Sequence, residues 1–312
     1  MDTPTKRPVS PRREAQSGAA VVLSYQKLLN GDDLTEEIEK AYGAEGLGIL
    51  TVEGIPELAD ARSNLLPLAY RFASLSDETK EKYTIEDAYY AFGWSRGKEK
   101  LDGQFDYSKG SYYNNPQFDR PVDDEELIKK FPACVHPNIW PSEDLPEMEA
   151  AFKALGQLIV AVGVLVSKQC DAYVKKQCAS YKDNYLQQTL ETSLCCKARL
   201  LHYYPKTFDD VLTPRKRRKV DVEEVVEDQE KEGDHDPFSS WCGWHNDHGS
   251  LTGLVSAIFT DEEGSVVQNT DPEAGECMSS DPCAVQSFVL FSSGVMFSLS
   301  FHCFATRSVH SQ

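Results

Sequence analysis

The chain has 312 residues, 40% hydrophobic and 26% charged, and a formal net charge of −18. That balance suffices for a buried core, in two packed regions or one large elaborated domain. So acidic a surface repels phosphate backbones, which argues against a broad nucleic-acid interface. One run, residues 213–236, holds six Lys/Arg and nine Asp/Glu, and without it the remainder still carries −15. The nine cysteines follow no compact even spacing, Cys195 and Cys196 are adjacent, and no secretory signal opens the chain. Reduced, intracellular thiols are expected.

Residues 1–20 contain Pro, Arg and Ser without an apolar period and are expected to be disordered. A short apolar segment follows at 21–25. Residues 33–42 have Leu34, Ile38 and Tyr42 in helical register, and 47–52 are strand-like. After Gly54 and Pro56 a second helical pattern runs over 57–72, and Ser76 is placed to cap a short helix through Tyr83. Residues 91–116 interleave glycines with Trp94, Phe105, Tyr107, Tyr112 and Tyr113, which suggests a structured loop region. Its aromatics either anchor that loop or cover a pocket.

The clearest helix begins near Asp144, where Asp144 and Glu147 are spaced as a capping box and Pro146 falls in the tolerant first turn. Met148, Phe152, Leu155, Ile159, Val162 and Val166 keep a helical period, and the pattern continues past Lys168 toward Tyr181. Its uncharged part, 154–167, is shorter than a bilayer span, so a buried core helix is expected. Residues 197–204 are strand-like and end at Pro205. The basic run 215–219 has the composition of a nuclear-import signal, although acidic sequence follows it. The other reading is a solvated loop between two strands.

Residues 244–254 carry the chemistry: Trp244-His245-Asn246-Asp247-His248-Gly249-Ser250-Leu251-Thr252-Gly253-Leu254. On a strand, His245 and Asp247 point to one face. A His and a carboxylate so placed supply two ligands of the 2-His-1-carboxylate triad that holds non-haem Fe(II) with open positions. The alternative is a satisfied core histidine beside a turn-capping carboxylate. His302 lies 57 residues beyond His245, on the polar side of an alternating stretch that runs from Phe297. His310 is the poorer ligand candidate, and His248 is expected off the metal face.

The segment His245-x-Asp247-x-Gly249-x-Leu251-Thr252-x-Leu254 resembles the iron-binding segment of the isopenicillin N synthase-like Fe(II)/2-oxoglutarate-dependent dioxygenases. Three further stretches resemble a plant branch of that superfamily: Gly93-Trp94-Ser95-x-Gly97-Lys98-Glu99-Lys100 with Lys109-Gly110-Ser111-Tyr112-Tyr113; Pro137-Asn138-Ile139-Trp140-Pro141; and Arg199-Leu200-Leu201-His202-Tyr203-Tyr204-Pro205. The resemblance covers about residues 21–275. It implies an α+β fold with a double-stranded β-helix (jelly roll) core behind a helical N-terminal region. It also implies Fe(II), 2-oxoglutarate and O2 as reactants, succinate as a product, and oxidation of a C–H bond in a small-molecule substrate. The implied ligands are His245, Asp247 and, by spacing, His302. Tyr204 matches the tyrosine that contacts 2-oxoglutarate in that family, while His202 stands where many relatives carry Asn. The structural alternative for Tyr204 is a half-buried strand aromatic.

Beyond residue 275 the resemblance stops. Residues 284–306 contain no Asp, Glu, Lys or Arg. In the family an Arg-x-Ser/Thr pair past the distal His clamps the far carboxylate of 2-oxoglutarate by a charge-assisted pair. Arg307-Ser308-Val309 is not that pattern, so the clamp and the closing strands are expected to be missing. A membrane anchor in this uncharged tail is disfavoured by its serines and its alternation. The expected organisation is a disordered 1–20, an N-terminal region 21–141, and a core helix with jelly-roll domain 142–312 carrying the insert 213–236. A monomeric, cytoplasmic oxygenase follows, or a nuclear one by the basic run. The competing expectation is a relative that kept the first motif, lost turnover and acts as a binding module.

Overall fold

The computed structural model describes residues 19–98, 100–101, 104–204, 249–267 and 295–301, with 100, 101, 104 and 295–301 described for their backbone only. His245, Asp247, His302, the charged run 213–236 and residues 1–18 lie outside the described residues.

The first apolar segment is a strand, β1 (Val21–Ser24), which pairs in parallel with β2 (Leu50–Glu53), Val21 opposite Leu50. Parallel strands need a crossover, and α1 (Tyr25–Asn30) and α2 (Thr35–Tyr42) supply it. The next helix is α3 (Leu58–Ala73), whose buried stripe includes Leu65, Leu66, Ala69 and Phe72. Ser76 caps α4 (Asp77–Glu81) as expected, its side chain accepting from the Thr79 amide at 3.1 Å.

Residues 91–116 are not a loop region. They contain β3 (Gly93–Arg96), the short pair β4 (Lys100–Leu101) and β5 (Gln104–Phe105), and β6 (Lys109–Asn114). Among the described glycines, Gly93 opens β3, Gly97 follows its last residue and Gly110 is the second residue of β6. Gly93 adopts φ 68°, and a Cβ there would lie 2.1 Å from the Tyr83 carbonyl oxygen. Two of the aromatics are inner residues: Trp94 is the cross-strand partner of Tyr112, and their rings lie 5.1 and 4.8 Å from that of Phe72 on α3, whereas Phe105 and Tyr107 are exposed.

Two short helices, α5 (Glu125–Lys130) and α6 (Pro132–Val135), lead to the long α7 (Met148–Gln177). The capping box expected at Asp144 does not form. The helix starts at Met148 with Glu147 as N-cap and no side-chain cap bond. Asp144 instead accepts from the Tyr83 hydroxyl at 2.5 Å, and Glu147 pairs with Arg71. Tertiary partners have outcompeted the local cap. By length and composition α7 could cross a membrane. Its predicted stripe, Met148 through Val166, is buried, and the helix packs against α2, α3, strand β8 (Leu251–Thr260) and α8 (Tyr185–Thr192).

The remaining described strands are β7 (Cys196–Tyr203), β9 (Val266–Val267) and β10 (Val295–Phe301). They join one six-stranded sheet in the order β3-β6-β7-β10-β8-β9. Every pairing in it is antiparallel, so β7 and β8 run the same way with β10 reversed between them. The architecture is α+β, as expected. A jelly roll has two facing sheets, and the described residues contain this one large sheet with two two-stranded pairs.

Two buried polar side chains of α7 hold its neighbours in place. Gln169 accepts from the Leu34 amide at 3.1 Å and donates to the Asp32 carbonyl at 2.9 Å. Asp171 accepts from the Tyr181 hydroxyl at 2.6 Å and from the Leu186 and Gln187 amides, each at 2.9 Å. Those amides belong to the first turn of α8, which has no partners of its own for them. Asp171→Ala leaves them unpaired, and urea unfolding of the variant is expected to show a loss of about 2–3 kcal/mol.

Candidate functional site

β7 has two ends, and the sequence-derived candidates divide between them. At its start, Cys196 is the register partner of Phe301, which is in turn the partner of Leu251. Phe301 immediately precedes His302, and Leu251 follows Asp247 by four residues. The ladder therefore brings the chain neighbours of both candidate ligand segments to one end of adjacent strands. Tyr204 stands at the other end, where its amide donates to the Ser108 carbonyl at 2.8 Å. At a strand rise near 3.3 Å per residue, Cys196 and Tyr204 are about 26 Å apart. The described sheet does not bring Tyr204 to the start of β8. Among the described residues no group of three or more His, Cys, Asp or Glu is placed to hold a metal.

Tyr204 sits in a built environment. Arg96 on β3, Gly110 on β6 and His202 on β7 form one row across three strands. Tyr204 lies two residues beyond His202, on the same face. Gly110 makes room for the Trp94 ring, which a Cβ there would meet at 2.2 Å. The Arg96 guanidinium lies 3.6 Å from the centroid of the Tyr204 ring. The His202 ring meets Tyr204 edge-on at 4.7 Å and Tyr70 of α3 at 5.9 Å. The Tyr204 hydroxyl and His202 Nδ1 are buried and have no hydrogen-bond partner among the described residues.

Burial dominates the ionisation of both groups. It raises the Tyr204 phenol above its ordinary value, with Arg96 opposing and Asp77 adding. It lowers His202 to about 4, helped by the positive charges of Arg96 and Lys80. Both side chains are thus neutral near pH 7. Lys80 is itself satisfied, donating to the Ala73 carbonyl at 3.0 Å and pairing with Asp77 at 3.0 Å.

The opposite face of the same strands is also polar. Ser95, Asp106, Lys109 and Ser111 line a small recess there, and Arg199 donates to Ser111 Oγ from Nε at 3.0 Å and from Nη2 at 2.8 Å. Further along, half-buried Lys197 turns its Nζ inward, donating to the Ala91 and Ala133 carbonyls at 2.7 and 2.6 Å and lying 3.7 Å from the Phe92 ring centroid. Desolvation pushes its ammonium down to about 7. Sequence reasoning missed Arg96, Lys197 and Arg199 as site residues. The last two were visible as cations alternating along an otherwise apolar strand. Arg96 was hidden by the assignment of its strand to a loop.

Residues 22–143 match the family model described as non-haem dioxygenase in morphine synthesis, N-terminal. No curated protein matches the chain. Among solved structures, a full-length Neurospora crassa protein in complex with alpha-KG and 5-formyluracil is similar with a TM-score of 0.52 and 18% identity, over 91% of this chain and 84% of that one. A 2OG-Fe(II) oxygenase family protein of Caulobacter crescentus is similar with a TM-score of 0.50 and 17% identity, over 92% of this chain and 74% of that one. At these identities the likeness is one of fold.

The depressed ionisation of His202 has a consequence for folding. The unfolded chain takes up the proton near pH 6.5 and the folded chain only near 4. His202 therefore contributes stability that is complete above pH 6.5 and is lost as the pH falls toward 4, by about 1.4 kcal/mol per pH unit. Chemical denaturation at a series of pH values is expected to show this slope in the wild type. The difference between wild type and His202→Asn isolates it from the carboxylates that titrate in the same range.

Proposed function

We propose that this protein is an Fe(II)- and 2-oxoglutarate-dependent oxygenase acting on a small molecule, of the plant-branch type its motifs resemble. The observation that carries the proposal is the register of Phe301 opposite Leu251. It sets the residue before His302 beside the strand that follows Asp247. The match of residues 22–143 to a dioxygenase N-terminal region supports it independently.

His245, Asp247 and His302 would hold the iron. Two imidazoles and a carboxylate are the donor set of non-haem Fe(II) sites that leave positions free. Bound iron supplies O2 activation coupled to decarboxylation of 2-oxoglutarate, and with it the oxidation of a substrate C–H bond. The protein's part is to bind and orient. Tyr204 is the proposed contact to a 2-oxoglutarate carboxylate, a role that requires the co-substrate to reach the C-terminal end of β7. Its buried, protonated hydroxyl is a donor there, and neutral His202 beside it adds no charge. The acidic chain acts alone, as a cytoplasmic monomer, with O2 and a small-molecule substrate as its partners.

A second reading has its own observation. Tyr204 lies about 26 Å along β7 from the row that joins Leu251 and Phe301, and Arg307-Ser308-Val309 does not match the family's carboxylate clamp. A chain that kept the first motif without turnover would be a jelly-roll binding module.

Anaerobic addition of Fe(II) and 2-oxoglutarate separates the two. The oxygenase is expected to develop the visible charge-transfer band of the chelated complex and to release succinate when air is admitted. His245→Ala is expected to abolish the band and weaken iron binding by about tenfold or more. Absence of both band and succinate leaves the binding module.

A further inference from the structure

Between α3, α7 and β8 lies a recess of about 370 Å³, counting its open mouth. Leu58 of α3, Leu158 and Val162 of α7 and Leu254 of β8 line it, with Ile55 from the connection before α3. Among the described residues Arg62 is the one charged member of that lining and Ser256 the one hydroxyl.

Arg62 reaches from α3 to β8. Its Nε donates to the Ser256 carbonyl at 2.6 Å and its Nη2 to the Ala257 carbonyl at 2.5 Å. Those two residues form a β-bulge. Val295 pairs with Ile258 and Phe297 with Val255, so Ser256 and Ala257 together oppose Met296. A bulge leaves ladder groups unpaired, and two hydrogens satisfy these two carbonyls. A neutral side-chain amide carries two; a guanidinium carries five and a fixed charge. The bulge therefore accounts for the position of Arg62 and not for its charge. Arg71 and Arg120 pair with carboxylates, whereas none pairs with Arg62 among the described residues. Arg62 is half-buried, and desolvation lowers its guanidinium below the ordinary value. A desolvated cation without a counter-charge is costly.

We propose that this recess binds a small carboxylic acid with an apolar body, its carboxylate on Arg62 and its chain or ring among the three leucines. An ionised carboxylate only accepts, and the planar guanidinium fork is the donor set that fits it best. An apolar lining with one or two placed polar groups is the usual make-up of a small-molecule site, the polar groups fixing the orientation. In a chain of net charge −18, the recess has no acid in its lining to repel an anion. Its volume suits a short chain or a single ring. The site uses none of His245, Asp247, His302 and Tyr204, so it stands whether or not the proposed iron chemistry does.

Calorimetric titration of the full chain tests the proposal. Octanoate and 3-phenylpropionate supply an aliphatic and an aromatic body. Octylamine and 1-octanol share the chain without the acid, and acetate shares the acid without the chain. One or both acids are expected to bind at a single site, at least tenfold more tightly than all three controls. The tighter of the two shows whether the recess takes a chain or a ring. Arg62→Gln is expected to weaken that acid about tenfold or more. Leu158→Trp narrows the recess and leaves Arg62 in place. It is expected to weaken the acid by a similar factor, and it decides the question if Arg62→Gln does not fold. His245→Ala is expected to leave the Kd unchanged. Binding of neither acid, a control that binds as tightly as the acids, an unchanged Kd in a folded recess variant, or loss of binding in His245→Ala would overturn the proposal.

Discussion

The burial of Phe72 is the contact on which the fold turns. Its ring is met by Trp94 from β3, Tyr112 from β6 and Tyr83 from the segment after α4, at centroid separations of 5.1, 4.8 and 5.8 Å. One side chain thereby fixes α3 to the edge of the sheet and sets the face that β3 and β6 present. Aromatic clusters of this kind combine large buried area with preferred edge-to-face geometry, so they specify orientation as well as stability. Once β3 and β6 are oriented, Arg96 comes into line with His202. The polar row at the end of β7 is a by-product of that packing.

Much of the helical scaffold was legible in the sequence, because helices are read from a local period. The stripe of α7, the α3 pattern and the Ser76 cap all depend on residues close in the chain. The sheet was less legible. β3 and β6 alternate correctly, but their glycines and serines dilute the apolar signal, and their partners are long-range. Ser95 and Ser111 face each other on the outer side while Trp94 and Tyr112 face each other on the inner side. Only the pairing turns what looked like turn composition into a ladder. The start of α7 shows the same limit in reverse. Asp144 and Glu147 had the spacing of a local cap, yet Tyr83 and Arg71 claimed them.

The candidate site was legible as chemistry and not as geometry. His245, Asp247 and His302 stand out by residue type and spacing, and they fall outside the described residues. What the sheet adds is a constraint between strands, Phe301 beside Leu251, that no spacing could have supplied. Tyr204 was found by the resemblance of its segment to the family's strand before the iron motif. Its environment was not found, because Arg96 lies 108 residues earlier and meets it only through β6. Half-buried cations with their charges held by specific oxygen acceptors stand out on a strand, and β7 carries two, Lys197 and Arg199. Such groups constrain a strand's register as firmly as apolar packing does, since a slip of one residue would strand a charge.

The strand order also dictates a sequence of events. β10 is the last described element of the chain, yet it occupies the middle of the sheet, between β7 and β8. A ribosome emits β7 and β8 long before the strand that must sit between them. Until β10 arrives, each has one hydrogen-bonding edge exposed, and such edges invite pairing with other chains. Contacts spanning about a hundred residues also close slowly. The nascent protein therefore waits with its sheet open at the centre, and β10 acts as its keystone.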